Sequence, residues 1–225
     1  MQKNQKAIKK LVGIATLTAL VVGLQFLSNY VSFGSISITL ALIPIAMGAI
    51  LYGPLVWFFL GGVMGLVVIA APSTQAVFMA HNPAATIFLC ILKTGIAGLV
   101  AGFIFKLFAF IAIKKESLAA KRVLFATGII IAALIVPVIN TGLFIVGATL
   151  FFSSIFGGFT GIINAVITTN FLIEFLVSAI LSPALVTLVK VVTKQYNLGF
   201  NDSFRDFNIA YKEQEETKLE NTVNA

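Results

Sequence analysis

Residues 84–113, AATIFLCILKTGIAGLVAGFIFKLFAFIAI, are followed by the short polar stretch Lys114-Lys115-Glu116 and then by residues 117–152, SLAAKRVLFATGIIIAALIVPVINTGLFIVGATLFF. Each apolar run exceeds the ~20 residues that a helix needs to cross the hydrocarbon core. The three charges between them make a turn on one side of a membrane. Two such runs joined so tightly read as a helical hairpin in lipid, and that reading sets the rest of the chain.

Working outward, four more apolar segments appear at residues 11–30, 36–51, 54–71 and 161–192. The composition agrees: 59% apolar residues, 10% charged and a mean hydropathy of +1.05. Soluble domains carry about a quarter charged residues. The expected fold is an all-α integral membrane protein, a compact bundle of six transmembrane helices. Residues 1–195 form the membrane-embedded domain, and residues 196–225 form a polar, acidic tail with Asp202, Asp206, Glu213, Glu215, Glu216 and Glu220. The tail reads as solvated and partly disordered, with a weak helical signal near Phe204 to Tyr211. Pro54 suits a first helical position, and Pro137 is the expected kink of the fifth segment. The first segment follows Lys3, Lys6, Lys9 and Lys10 and is too long for a signal peptide, so a retained helix is expected.

The formal charge of +7 is not spread as a nucleic-acid groove would have it. With six spans the basic clusters at Lys3–Lys10, at Lys106, Lys114, Lys115, Lys121 and Arg122, and at Lys190 and Lys194 all fall on one face. The positive-inside rule makes that face cytoplasmic, with both termini on it. The opposite connections, around residues 32–35, 71–83 and 153–160, hold no charged residue. Cys90 stands alone in an apolar run, which excludes a disulfide framework. No metal site is expected, since His81 has no partner ligand nearby in sequence. The chain shows no P-loop, Gly-x-Ser-x-Gly or His-Glu-x-x-His, so no enzyme is expected. It also shows no inverted pair of broken helices.

Charges deep in a bilayer cost at least ~2.5–3.5 kcal/mol on insertion scales. Two lie well inside the spans, Lys93 and Glu174. At 1.5 Å per residue, Lys93 lies roughly 14 Å and Glu174 about 20 Å below the outer surface, with Asn140 and Thr141 about 15–18 Å down. Asn170 is one turn above Glu174. These groups read either as one polar pocket opening outward or as a Lys93–Glu174 ion pair with asparagines bridging helices. In the outer connection, Gln75, His81 and Asn82 read as a cover for a small molecule, or as an ordinary loop in which Asn82-Pro83 opens the fourth helix. Ala15 and Ala19 make a small-xxx-small pair that allows close helix approach, within the chain or to a partner.

The chain resembles the substrate-binding S components of energy-coupling factor (ECF) vitamin transporters from Lys9 to about Lys194. The resemblance rests on the six short-looped segments, Ala15-x-x-x-Ala19, Ile43-Pro-Ile-Ala-Met-Gly-Ala-Ile-Leu-Tyr-Gly-Pro54, Gly95-Ile-Ala-Gly-Leu-Val-Ala-Gly102, Asn140-Thr-Gly-Leu-Phe144 and Asn170-Phe-Leu-Ile-Glu174. It implies capture of a water-soluble vitamin at the outer face of a plasma membrane. Release would follow toppling of the subunit on a transmembrane coupling subunit with two ATPase subunits. ATP would be used by those partners, with no cofactor in this chain. Ala15 and Ala19 would form the docking face, and the pocket would lie among the last three helices. The pattern is most similar to the pantothenate branch, with hydroxymethylpyrimidine, riboflavin and folate as alternatives and a gradient-driven secondary transporter as the competing class. The excess of Lys over Arg and the many Phe residues fit a Gram-positive source.

Overall fold

The structure, a computed structural model, describes residues 2–30, 32–33, 36–37, 41–167, 171–196 and 216–217. Asn170 and nearly all of the acidic tail lie outside the described residues. Helix α1 spans Gln2–Tyr30 and leads into two two-residue strands, β1 (Ser32–Phe33) and β2 (Ile36–Ser37), paired antiparallel with Ser32 opposite Ser37. Then follow α2 (Leu42–Tyr52), α3 (Pro54–Ile69), α4 (Pro72–Thr74) with a π-helical turn at Gln75–Met79, and α5 (Pro83–Ile113). The chain continues through α6 (Leu118–Phe151), α7 (Ser153–Phe156), α8 (Phe159–Val166) and α9 (Leu172–Tyr196).

Four helices, in α1, α5, α6 and α9, are long and apolar enough to cross a membrane; α3 with its bent continuation makes a fifth. This is a helical architecture compatible with a membrane-embedded protein. The 11 residues of α2 measure only about 16 Å, half of the ~30 Å hydrocarbon core. The expected second segment at 36–51 is thus shorter as a helix, because residues 36 and 37 pair as strand instead. The sixth, at 161–192, takes in most of α8 and of α9, with residues 168–170 outside the described residues. The stretch at 71–83 is mostly helical rather than loop. Pro72 stands at the first helical position after an extended Ala71, and the chain bends by 68° there. This bend was not foreseen in the sequence reading.

The breaks have local causes. Gly53, at φ 92°, ends α2 in a conformation that a side chain would strain, and Pro54 then opens α3 with its φ already set. α6 continues through Pro137 and α9 through Pro183. Pro183 cannot donate to the carbonyl of Ala179, and the Ser182 hydroxyl donates to it instead at 2.9 Å.

Glycines set how closely the helices approach. A Cβ on Gly61 would stand 2.6 Å from the Thr94 carbonyl oxygen, and one on Gly65 would stand 2.6 Å from that of Cys90. The α3 and α5 backbones therefore touch, as small residues allow in lipid. α5 and α6 run antiparallel, with Gly147 receiving Leu89 at one end and Phe105 meeting Phe125 edge-on at 5.3 Å toward the other. The main core joins Trp57, Leu60 and Met64 of α3 to Ile45 and Ile50 of α2, Phe105 of α5 and Ile129 of α6. Among its described residues, α1 buries the stripe Leu17, Val21, Gln25 and Ser28.

Candidate ligand site

The hairpin of α5 and α6 has one end with charged residues and one without. The register fixed by Leu89 on Gly147 carries Lys93, one turn deeper on α5, to the level of residues 140–144 on α6. There the Lys93 ammonium lies 5.1 Å from the centroid of the Phe144 ring, a cation over the negative face of an aromatic. Lys93 is half-buried. Asn140 and Thr141, on the turn below Phe144, are buried. The Asn140 Oδ1 has no hydrogen-bond partner among the described residues. A buried amide left so is costly unless something else meets it.

Above this level, toward the uncharged end, lies a cluster of rings. Phe78, from the π-helical turn, sits edge-on to Phe144 at 5.7 Å and to Phe152 at 5.1 Å, with Phe156 at 6.0 Å. The turn that follows α3 thereby reaches over α6 and onto α7. His81 extends the cover: it is exposed, 6.0 Å from the Phe152 ring, and its Nε2 is 3.5 Å from the Ser154 Oγ.

The other residues of the outer connection have local duties. The Gln75 side chain is exposed, and its amide donates to the Ile69 carbonyl at 2.7 Å, closing the last turn of α3. Asn82 caps α5, its Oδ1 accepting from the Ala85 N–H at 3.1 Å with Pro83 at the first helical position. Of the two readings of this stretch, the geometry at Asn82 matches helix opening.

Glu174 is buried in the first turn of α9. Ser178 and Ser182 follow it at one-turn intervals, also buried, so that a polar stripe runs down α9. Ser178 and Ser182 line a cavity of about 10 Å³ with Leu42, Ile43 and Ala46 of α2 and Ala133 of α6. That volume is close to the threshold for one water. The carbonyl of Ala133 is the one that Pro137 leaves without its helical donor. Glu174 stands one turn above this cavity, and α6 packs against both α5 and α9. The Lys93 charge faces the Phe144 ring.

The Lys93 ammonium stands against Phe144, Asn140 and Thr141 lie buried one turn below that ring on α6, Glu174 is buried on α9, and Gln75 and Asn82 are engaged elsewhere. The aromatic cluster of Phe78, Phe144, Phe152 and Phe156 was not singled out by the sequence. Trp57 was also missed: it is fully buried, and its Nε1 has no partner among the described residues. On α1, Ala15 and Ala19 are both exposed. Gly23 continues their line, with nothing within 4 Å of where its Cβ would be. Among the described residues no group of three or more His, Cys, Asp or Glu is placed to hold a metal.

No family model, no curated protein and no solved structure matches the chain.

Proposed function

We propose that this chain is the substrate-capturing S component of an ECF-type vitamin importer, a bundle of six spans with both termini on the cytoplasmic side of a plasma membrane. The observation that supports the reading is the Lys93 ammonium against the Phe144 ring, with Phe78 edge-on to that ring and the buried Asn140 oxygen, unsatisfied among the described residues, one turn away on α6. A buried amide oxygen without a partner and a half-buried cation under an aromatic cover are what a small polar anion needs. The ammonium meets a carboxylate, and Asn140 and Thr141 meet hydroxyl and amide groups. Pantothenate has that set of groups, and it is the favoured substrate.

The transport half of the reading rests on α1. Ala15 and Ala19 lie on a face that no other described element covers, so a partner helix can approach there without displacing anything in this chain. ATP hydrolysis belongs to the partner subunits in this scheme. Hydroxymethylpyrimidine, riboflavin or folate would occupy the same pocket in the alternative, and a stand-alone gradient-driven carrier is the competing class.

The test is binding of a labelled vitamin panel to purified, solubilised protein with no partner present. Saturable binding of pantothenate supports both the class and the substrate. Saturable binding of another vitamin keeps the class and replaces the substrate. Ion-gradient-driven uptake by the chain alone in liposomes overturns the S-component reading.

A further inference from the structure

The basic half of α5 presents an unusual face. Phe103, Leu107 and Phe110 are all more than half exposed and Ile111 is 39% exposed. Lys106 and Lys114 lie in the same stripe, both exposed. The spacing 103, 106, 107, 110, 111, 114 follows one side of a helix. The opposite side, with Phe105, Ala109 and Ala112, is fully buried. Lys114 does not extend away from this stripe; its ammonium lies 4.2 Å from the centroid of the Phe110 ring.

Depth assigns the stripe an environment. Measured from Pro83, Phe103 is about 30 Å along α5, Lys106 about 34 Å and Lys114 about 46 Å. A tilt of about 20° shortens the two lysine depths to about 32 Å and 44 Å. The hydrocarbon core is about 30 Å thick and the bilayer with its headgroups 40–45 Å. Phe103 therefore stands at the edge of the hydrocarbon, and Lys106 enters the headgroup layer, which is about 5–8 Å deep on each side. The backbone of Lys114 lies beyond that layer while its ammonium stays beside the Phe110 ring. Glu116 is the sole acidic residue of residues 1–173, and it stands beyond Lys114 and Lys115 in the turn to α6. A phosphate at this level lies between two lysines whose backbones are just over two turns, about 12 Å, apart, and the acyl chain below it meets Phe103 and Leu107.

We propose that this face of α5 is a binding site for an anionic phospholipid, with the phosphate held between Lys106 and Lys114. The site rests on the membrane reading alone and not on vitamin capture, so either can fail without the other. Each lysine near an anionic surface contributes about a five- to sixfold gain in affinity, so the pair gives about thirtyfold.

The experiment is native mass spectrometry of the purified protein in neutral detergent, with phosphatidylglycerol or phosphatidylcholine of the same acyl chains added. The wild type is expected to retain phosphatidylglycerol preferentially. The double variant Lys106→Gln with Lys114→Gln should bind it about thirtyfold more weakly, while Lys9→Gln with Lys10→Gln, which removes the same charge from α1, should not. Equal loss in both variants, or equal retention of the two lipids by the wild type, overturns the site. If the double variant fails to fold, a photoactivatable phosphatidylglycerol added to wild-type protein decides the matter. Adducts on residues 103–114 support the site. Adducts confined to other helices overturn it and leave the stripe to a protein partner.

Discussion

The Thr94 hydroxyl donates to the Gly61 carbonyl at 2.6 Å, and this bond orients the residue that precedes it. Thr94 faces α3, so Lys93 is turned toward α6 and Phe144. The same hydroxyl lies within 2.9 Å of the Cys90 carbonyl, which makes it a shared donor where the two backbones touch.

Thr94→Val keeps the shape and removes the donor. It should lower stability by about 1 kcal/mol, the usual net value of such a bond, and leave the helices packed. Gly61→Ala should do more damage, since its Cβ would meet the Thr94 carbonyl backbone rather than a side chain that can move. Thermal unfolding in detergent checks both; an alanine variant as stable as the wild type would mean that the backbones do not touch.

Lys93→Gln should weaken binding of an anionic vitamin at least tenfold, on the order expected for a charge-assisted hydrogen bond. Lys93→Arg should recover part of the loss. Binding isotherms with labelled pantothenate read both variants, and unchanged affinity in Lys93→Gln would remove the cation from the site.

Asn140→Ala and Gln75→Ala should separate cleanly. The Asn140 oxygen has no partner among the described residues, so its loss is expected to reduce affinity. The Gln75 amide closes α3, so its loss should leave affinity within about twofold and affect only stability, by about 1 kcal/mol. Equal effects on binding would mean that Asn140 joins helices and does not meet ligand.

Ala15→Trp combined with Ala19→Trp should leave vitamin binding unchanged, because both positions are exposed on α1. Uptake by the reconstituted importer should be abolished. Lost binding in the isolated variant would show that this face packs within the chain.

What was legible in the sequence followed from composition and from one short turn. The two long apolar runs on either side of Lys114-Lys115-Glu116 read as a helical hairpin without any structure, and counting from their outer ends put Lys93 at a depth comparable to that of Asn140. Helix interruptions were harder, because residues apolar on every side give no period that changes when a helix stops. The start of α2 at Leu42 and the bend at Ala71 were hidden for that reason. The roles of Gln75 and Asn82 depend on which carbonyl or N–H a helix end leaves open, and so on those same breaks. The Phe78 cluster depends on the bend at Pro72 carrying one ring across to α6.

The contact of Gly61 and Gly65 with the α5 backbone also says where this molecule can move. Two helices that meet through side chains can slide by changing rotamers, but a seam of main chain on main chain offers no such adjustment. α3 and α5 must therefore travel together as one rigid strut. Any opening that admits or releases a ligand falls to what is attached less tightly: the π-helical turn bearing Phe78, the short helices α7 and α8 around Gly157 and Gly158, and α9.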